Sequence, residues 1–333
     1  AGLGFISTES GEIETSSYED DNLPGGGNPA TVTYDLGNKT MIVVSGVASY
    51  YEFDGERISY GTGISWSVDS GETWIYSEQP TDELPDCSQY GQSDCGLPDN
   101  HCTWNTFQCF YAYSEGSQNA LIRNDWYGPG GNPYKFSSNP VTVTAKNVTY
   151  DISVDVNQEY IYIASWAGML RRLKYSDFGS DNPPQNSDWE LIPLPLDDVE
   201  GFYSCGSEIP GTYIYNPVDP SDDTGFGGND NHKVFSVHID DDKIWVGTAD
   251  GINIGTIKQN DEAYPGCIEW THHSTTIGDN LAGDWVIGII PQEMGESDPK
   301  RMWLLSRELI TPPKPHGLSY TDDFGEIWYI DPQ

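Results

Sequence analysis

Three observations on this 333-residue chain predict an all-β fold, a β-propeller of four clear blades. The apolar residues come in short β-branched and aromatic runs closed by Gly, Asn or Asp, and no helical stripe exceeds two turns. One set of such runs recurs four times, as a repeat architecture requires. The 11 Trp, 21 Tyr and 10 Phe are enough to wedge several small sheets against one another.

The first unit, residues 28–80, has strand-like runs at 31–34, 41–45, 63–66 and 73–76. The second, 145–195, repeats them at 152–155, 161–165, 168–170 and 189–192. The third, 230–273, reads Val-His-Ile-Asp, Ile-Trp-Val-Gly-Thr, Gly-Ile-Asn-Ile and Ile-Glu-Trp; the fourth, 283–331, is its close echo. Four short antiparallel strands per unit, repeated, form propeller blades within a single domain. Glycines at corresponding places, Gly63, Gly168, Gly251 and Gly317, are spaced more widely than the roughly 40–50 residues of one blade. The excess falls in a cysteine-rich insertion at 81–139 and an acidic loop insertion at 197–231. The first leaves room for a fifth blade, and the count is equally that of a segment of a larger propeller.

Two units carry a sharper signal between their third and fourth strands. Ser67-Val68-Asp69-Ser70-Gly71-Glu72-Thr73-Trp74 and Thr321-Asp322-Asp323-Phe324-Gly325-Glu326-Ile327-Trp328 share the pattern [ST]-x-D-x-G-x-[TI]-W. The Asp can accept backbone N–H bonds across a tight turn, the Gly supplies positive φ and the Trp anchors the hairpin. These segments resemble the Asp-box (BNR-repeat) hairpins of secreted propellers such as sialidases, sortilin-type receptors and xyloglucanases. The stretch from Ile244 to Gly251 is also similar to blades of two-component-regulator-type propellers. The structural residues this implies are Ser67, Asp69, Gly71, Thr73 and Trp74, with Thr321, Asp323, Gly325 and Trp328. Ile327 departs from the usual Thr. The segment from Tyr175 to Gly179 is a decayed relative at most, and the third unit has none.

The net charge, 15 − 52 = −37, excludes partners recognised through phosphate, namely nucleic acids and anionic membranes. No apolar run approaches the roughly 18 residues of a membrane-crossing helix, so no membrane insertion is expected. The six cysteines, Cys87, Cys95, Cys102, Cys109, Cys205 and Cys267, lack C-x2-C spacing and are disulfide candidates, which places the chain in an oxidising, secreted or cell-surface setting. Their connectivity stays open among 15 pairings. Asn38 and Asn147 begin glycosylation sequons. Calcium is the one cofactor suggested, at Asp219, Asp222 and Asp223 or at Asp240-Asp241-Asp242, because it prefers hard oxygen ligands.

No catalytic residues stand out. The sialidase resemblance would require an arginine triad and a Phe/Tyr-Arg-Ile-Pro motif; the motif is absent and only Arg57, Arg123, Arg171, Arg172, Arg301 and Arg307 exist. A glycosidase needs two facing carboxylates, which 52 acids cannot single out. The expectation is a secreted, non-enzymatic module for interaction, adhesion or structural assembly, with protein partners, self-assembly or glycans. The alternative is a glycoside hydrolase of the same propeller type.

Overall fold

A computed structural model describes residues 22–81 (except 52–56), 147–203 (except 198), 229–258, 267–295, 300–307 and 316–331. It also describes residues 92–93 and the short strands Gly2–Ile6, Ile13–Ser17, Cys102–Trp104, Cys109–Tyr111, Leu121–Arg123, Phe136–Ser138 and Ile214–Tyr215. The fold is all-β, and each of the four repeat units forms one antiparallel sheet, a blade.

Blade I comprises Thr31–Asp35, Thr40–Tyr51, Arg57–Ser67 and Ile75–Ser77. Blade II comprises Thr149–Asp155, Tyr160–Ser165, Met169–Lys174 and Glu190–Leu191. Blade III comprises Val234–Asp240, Lys243–Thr248, Gly251–Lys258 and Cys267–His273, and blade IV Trp285–Gln292, Arg301–Arg307, Gly317–Thr321 and Tyr329–Ile330. Each strand pairs with the next in sequence, so the connections are local.

The two insertions are less separate than the sequence suggests. Gly201–Tyr203 adds a fifth, edge strand to blade III by pairing with Cys267–His273. Ile214–Tyr215 pairs in parallel with Phe136–Ser138, which pairs in turn with Leu121–Arg123. Strands from both insertions thus share one three-stranded sheet.

Successive blades bury facing apolar sides. Met41, Val43, Ile64 and Trp66 of blade I pack with Ile152, Val154, Ile161 and Ile163 of blade II. The opposite side of blade II, Tyr162, Ala164 and Leu170, packs with Ile244 and Val246 of blade III. The opposite side of blade III, Trp245, Ile252 and Ile254, packs with Val286, Met302 and Leu304 of blade IV. Central strands buried on both faces read as unbroken apolar runs, which explains Tyr160–Ser165 and Lys243–Thr248.

Polar contacts stitch neighbouring blades together, mostly through their first strands. Asp151 of blade II accepts Val237 N–H of blade III at 3.0 Å. Ser153 Oγ accepts Ile239 N–H two residues along, and Ser236 Oγ donates to the Val286 carbonyl of blade IV. Between blades I and II, Tyr34 Oη accepts Val154 N–H and Ser45 Oγ donates to the Thr149 carbonyl. Each contact satisfies a backbone group that the local sheet leaves unpaired.

Candidate functional site

Two features stand out: the paired Asp hairpins and one end of the first strands. In the first hairpin, Ser67 Oγ donates to Asp69 Oδ1 and accepts the N–H groups of Asp69 and Gly71. Asp69 then takes Thr73 N–H at 2.9 Å on one oxygen and Thr73 Oγ1 at 2.6 Å on the other. The second hairpin repeats this with Thr321, Asp323, Gly325 and Ile327 N–H. Ile327 has no hydroxyl, so the second Asp lacks the bond that Thr73 supplies. Both loops carry a positive-φ pair, Ser70 and Gly71 or Phe324 and Gly325. Trp74 and Trp328 are buried beneath them. Burial opposes ionisation of Asp69, but the bonds from Ser67 and Thr73 hold its carboxyl below the usual range. In blade II, Tyr175–Asp177 is instead a short 3-10 turn with Asp177 exposed.

The second feature starts from a β-bulge repeated in three first strands, between Thr149 and Asp151, Val234 and Ser236, and Val286 and Gly288. The bulged residues are Tyr150, Phe235 and Ile287. A bulge re-aims the side chain it carries, here away from the blade interior. Phe235 meets Trp166 at 5.2 Å and Trp285 at 5.3 Å between ring centroids, and Trp166 meets Trp285 at 5.3 Å. Tyr150 lies 6.3 Å from Phe235 and is 43% exposed. The buried Lys233 ammonium sits 5.3 Å from the centre of the Trp166 ring and is paired with Asp230. The result is a half-exposed aromatic cluster contributed by blades II, III and IV.

Beside it lies a buried polar network. Asn231 donates to the Pro195 carbonyl and to Asn253, and its own carbonyl accepts Thr248 Oγ1 and Asn253. Asp197 accepts the N–H groups of Asp230 and Asn231, and Asp284 accepts Thr275 N–H and hydroxyl. Asp250 is buried, and its Oδ2 stands 3.6 Å from His272 Nε2 with no hydrogen-bond partner among the described residues. Burial, with Asp197, Asp284 and Asp230 nearby, pushes the Asp250 carboxyl up to about 7. Burial likewise raises Asp151 to about 6 against its bonds from Val237 and Ile152, and lowers His232 to about 3.

The remaining residues singled out from sequence fall as follows. Asn38 is exposed in a turn. Asn147 is a correction: it is fully buried, donates its amide to the Pro80 carbonyl, and accepts Gln79 and Ser165. Its nitrogen is therefore not open to a glycosyl group in the folded chain. Cys267 is disulfide-bonded. Cys102 and Cys109 lie on paired strands, opposite Tyr111 and Trp104. Cys87, Cys95 and Cys205, and the calcium candidates Asp219, Asp222 and Asp223, lie outside the described residues. Among the described residues, no group of three or more His, Cys, Asp or Glu is arranged to hold a metal. Arg171 donates to the Gly168 carbonyl, Arg172 pairs with Glu190 and Arg301 with Asp322. The sequence did not disclose the aromatic cluster; an aromatic or Ile recurring near the start of three first strands was the available signal.

No protein-family model and no curated protein matches the chain. Among solved structures it is similar to PorZ, described as an essential bacterial surface component of the type-IX secretion system of human oral-microbiomic Porphyromonas gingivalis. Identity is 11% and the TM-score 0.25, over 98% of this chain and 44% of PorZ. The chain spans less than half of that protein's length, and a likeness this slight carries no weight for fold or role.

Proposed function

We propose that this chain is a secreted, non-enzymatic propeller module of the Asp-box type that engages protein partners through the end of the molecule bearing Tyr150, Trp166, Phe235 and Trp285. The observation that carries the reading is that cluster: large rings held half-exposed by a repeated bulge, the anchor chemistry of protein interfaces. The nearby carboxylates favour the same reading, because Asp151, Asp197 and Asp284 are occupied by backbone donors. The hairpin bonds of Asp69 and Asp323 support the Asp-box assignment, and the Cys267 disulfide supports an oxidising compartment.

The glycosidase reading draws on one specific observation, the raised carboxyls of Asp151 and Asp250. A photo-crosslinking group at Tyr150 separates the two. The interaction reading expects a protein adduct that disappears in Trp166→Ala and Trp285→Ala. Release of reducing ends from xyloglucan or another neutral glycan, lost in Asp250→Asn, would replace it with the enzyme.

A further inference from the structure

The aromatic cluster has an acidic border on its blade III side. Asp284 directly precedes Trp285, and Asp230 is bonded to the Lys233 ammonium that lies against Trp166. Asp197 accepts the N–H groups of Asp230 and Asn231. Asp250 comes to the same place from the connection between the second and third strands of blade III, where Gly251 N–H donates to the Asp284 carbonyl. Its Oδ2 is buried without a hydrogen-bond partner among the described residues. After burial, the charges of Asp197, Asp284 and Asp230 are what raise the Asp250 carboxyl, so their field is not cancelled there. Against these acids stand Lys233, taken by Asp230; Arg171, whose Nε donates to the Gly168 carbonyl; and the exposed Arg307, cross-strand from Trp285. Burial keeps His232 and His272 uncharged at neutral pH.

These acids keep unused acceptor capacity. A carboxylate offers about four acceptor sites. Asp197 and Asp284 each accept two bonds and Asp230 one, and the Asp230 side chain is 48% exposed. Phe235, Trp166 and Trp285 touch one another, so a ligand lies over the rings rather than between them. The fold already uses this combination once, where the Lys233 ammonium lies against Trp166 with Asp230 as its counter-ion. The rest of the chain has few cations to add. Residues 204–228 contain Glu208, Asp219, Asp222 and Asp223 and no Lys or Arg, and residues 82–146 contain three Lys or Arg against seven Asp or Glu. A second copy would bring another net charge of −37.

We propose that the aromatic end takes a basic segment of a partner protein, which lays an arginine over the Trp166 and Trp285 rings and turns its guanidinium to Asp230 and Asp284. This rests on the reading of that end as an interface and adds the chemistry of what binds there. A guanidinium suits both halves of the site, because it stacks on aromatic faces and presents a fork of donors to carboxylates. The uncancelled acids steer such a segment in and turn acidic ones away.

The test uses the full chain with benzoylphenylalanine at position 150 and three biotinylated peptides: Gly-Leu-Arg-Leu-Arg-Gly and its versions with citrulline or glutamate for arginine. On irradiation at physiological salt the arginine peptide should give at least about tenfold more adduct than either of the others. That adduct should fall at least about fivefold in Asp230→Asn and in Asp284→Asn, with the thermal melt kept. It should be unchanged in Glu72→Gln, an exposed acid at the opposite end of the strands. A citrulline peptide that labels as well as the arginine one, with the adduct lost in Trp166→Ala, overturns the proposal and keeps the interface. An equal loss in Glu72→Gln also overturns it, tracing the adduct to the overall charge. No adduct with any peptide overturns it too, and the interface falls with it only if position 150 captures no protein either.

Discussion

Blades III and IV are built on the same strand pattern around one shared Trp, Ile-Trp-Val-Gly-Thr against Met-Trp-Leu-Leu-Ser, yet one is sealed and the other is not. Trp245 is 1% exposed between blades, whereas Trp303, at the same register, is half-buried on a free side. Local pattern decides that a blade forms; what stands next to it decides how much each residue is worth. The largest expected effect follows directly. Trp245→Ala should cost about 3–5 kcal/mol, as truncation of a large buried aromatic does. Trp303→Ala should cost only about 1 kcal/mol or less, as at sites away from a packed core. Chemical denaturation with matched m-values measures both. Equal costs would mean that Trp303 is already covered and would break the comparison.

The blades also differ at the end near the aromatic cluster, where blade III keeps Asp250 buried beside His272. Asp250 is raised from 3.8 in the open chain to about 7 when folded, so the folded state holds a proton that the unfolded state has released. Its contribution is therefore complete below about pH 4 and is lost as pH rises through about 7. Asp250→Asn cannot ionise. Relative to wild type it should be neutral near pH 4 and more stable above pH 7, by on the order of 2–4 kcal/mol. His232 and His272 are lowered by burial and act in the opposite sense, losing stability as pH falls below 6.5; His232 cancels in the difference, whereas His272, 3.6 Å from Asp250, is coupled to it. Melts of the two proteins from pH 4 to 8 check this. Parallel curves would show that Asp250 is solvated.

What was legible in the sequence follows the same division between local and assembled. The strands of all four blades were readable because a buried strand writes its burial into a short contiguous run. The Asp hairpins were readable because Ser67 to Trp74 and Thr321 to Trp328 each close their bonds within eight residues. The aromatic cluster was not, because Trp166, Phe235 and Trp285 are brought together by two blade–blade junctions and by bulges that leave no mark on composition. Gly201–Tyr203 was read as part of a loop because three residues on a sheet edge make too short a pattern. The sequon at Asn147 misled for a related reason: what buries that side chain is Gln79 and Pro80 of the preceding unit. Secretion through a glycosylating pathway should add a glycan at Asn38 and none at Asn147, read as a single mass increment removed by Asn38→Gln; an increment that survives that change would place Asn147 at the surface.

The smallest effects separate the two hairpins, which differ in one hydroxyl. Asp69 receives Thr73 N–H and Oγ1, whereas Asp323 receives only Ile327 N–H from the matching position. Thr73→Val deletes one hydrogen bond to a carboxylate at an exposed turn and should cost about 1 kcal/mol. The reverse change, Ile327→Thr, offers Asp323 the missing donor and removes an apolar side chain that is 51% exposed. It should add a few tenths of a kcal/mol, up to about 1. Burial of the carboxylate is modest in both loops, so neither value should reach those of a core substitution. Denaturation midpoints of the two variants and their double mutant check this, and the two effects should add, since the loops lie in blades I and IV and share no partner among the described residues. A destabilising Ile327→Thr would show that Ile327 contributes more as an apolar contact than a threonine hydroxyl returns to Asp323. The two hairpins would then be distinct solutions on one backbone, rather than a complete and an incomplete version of the same one.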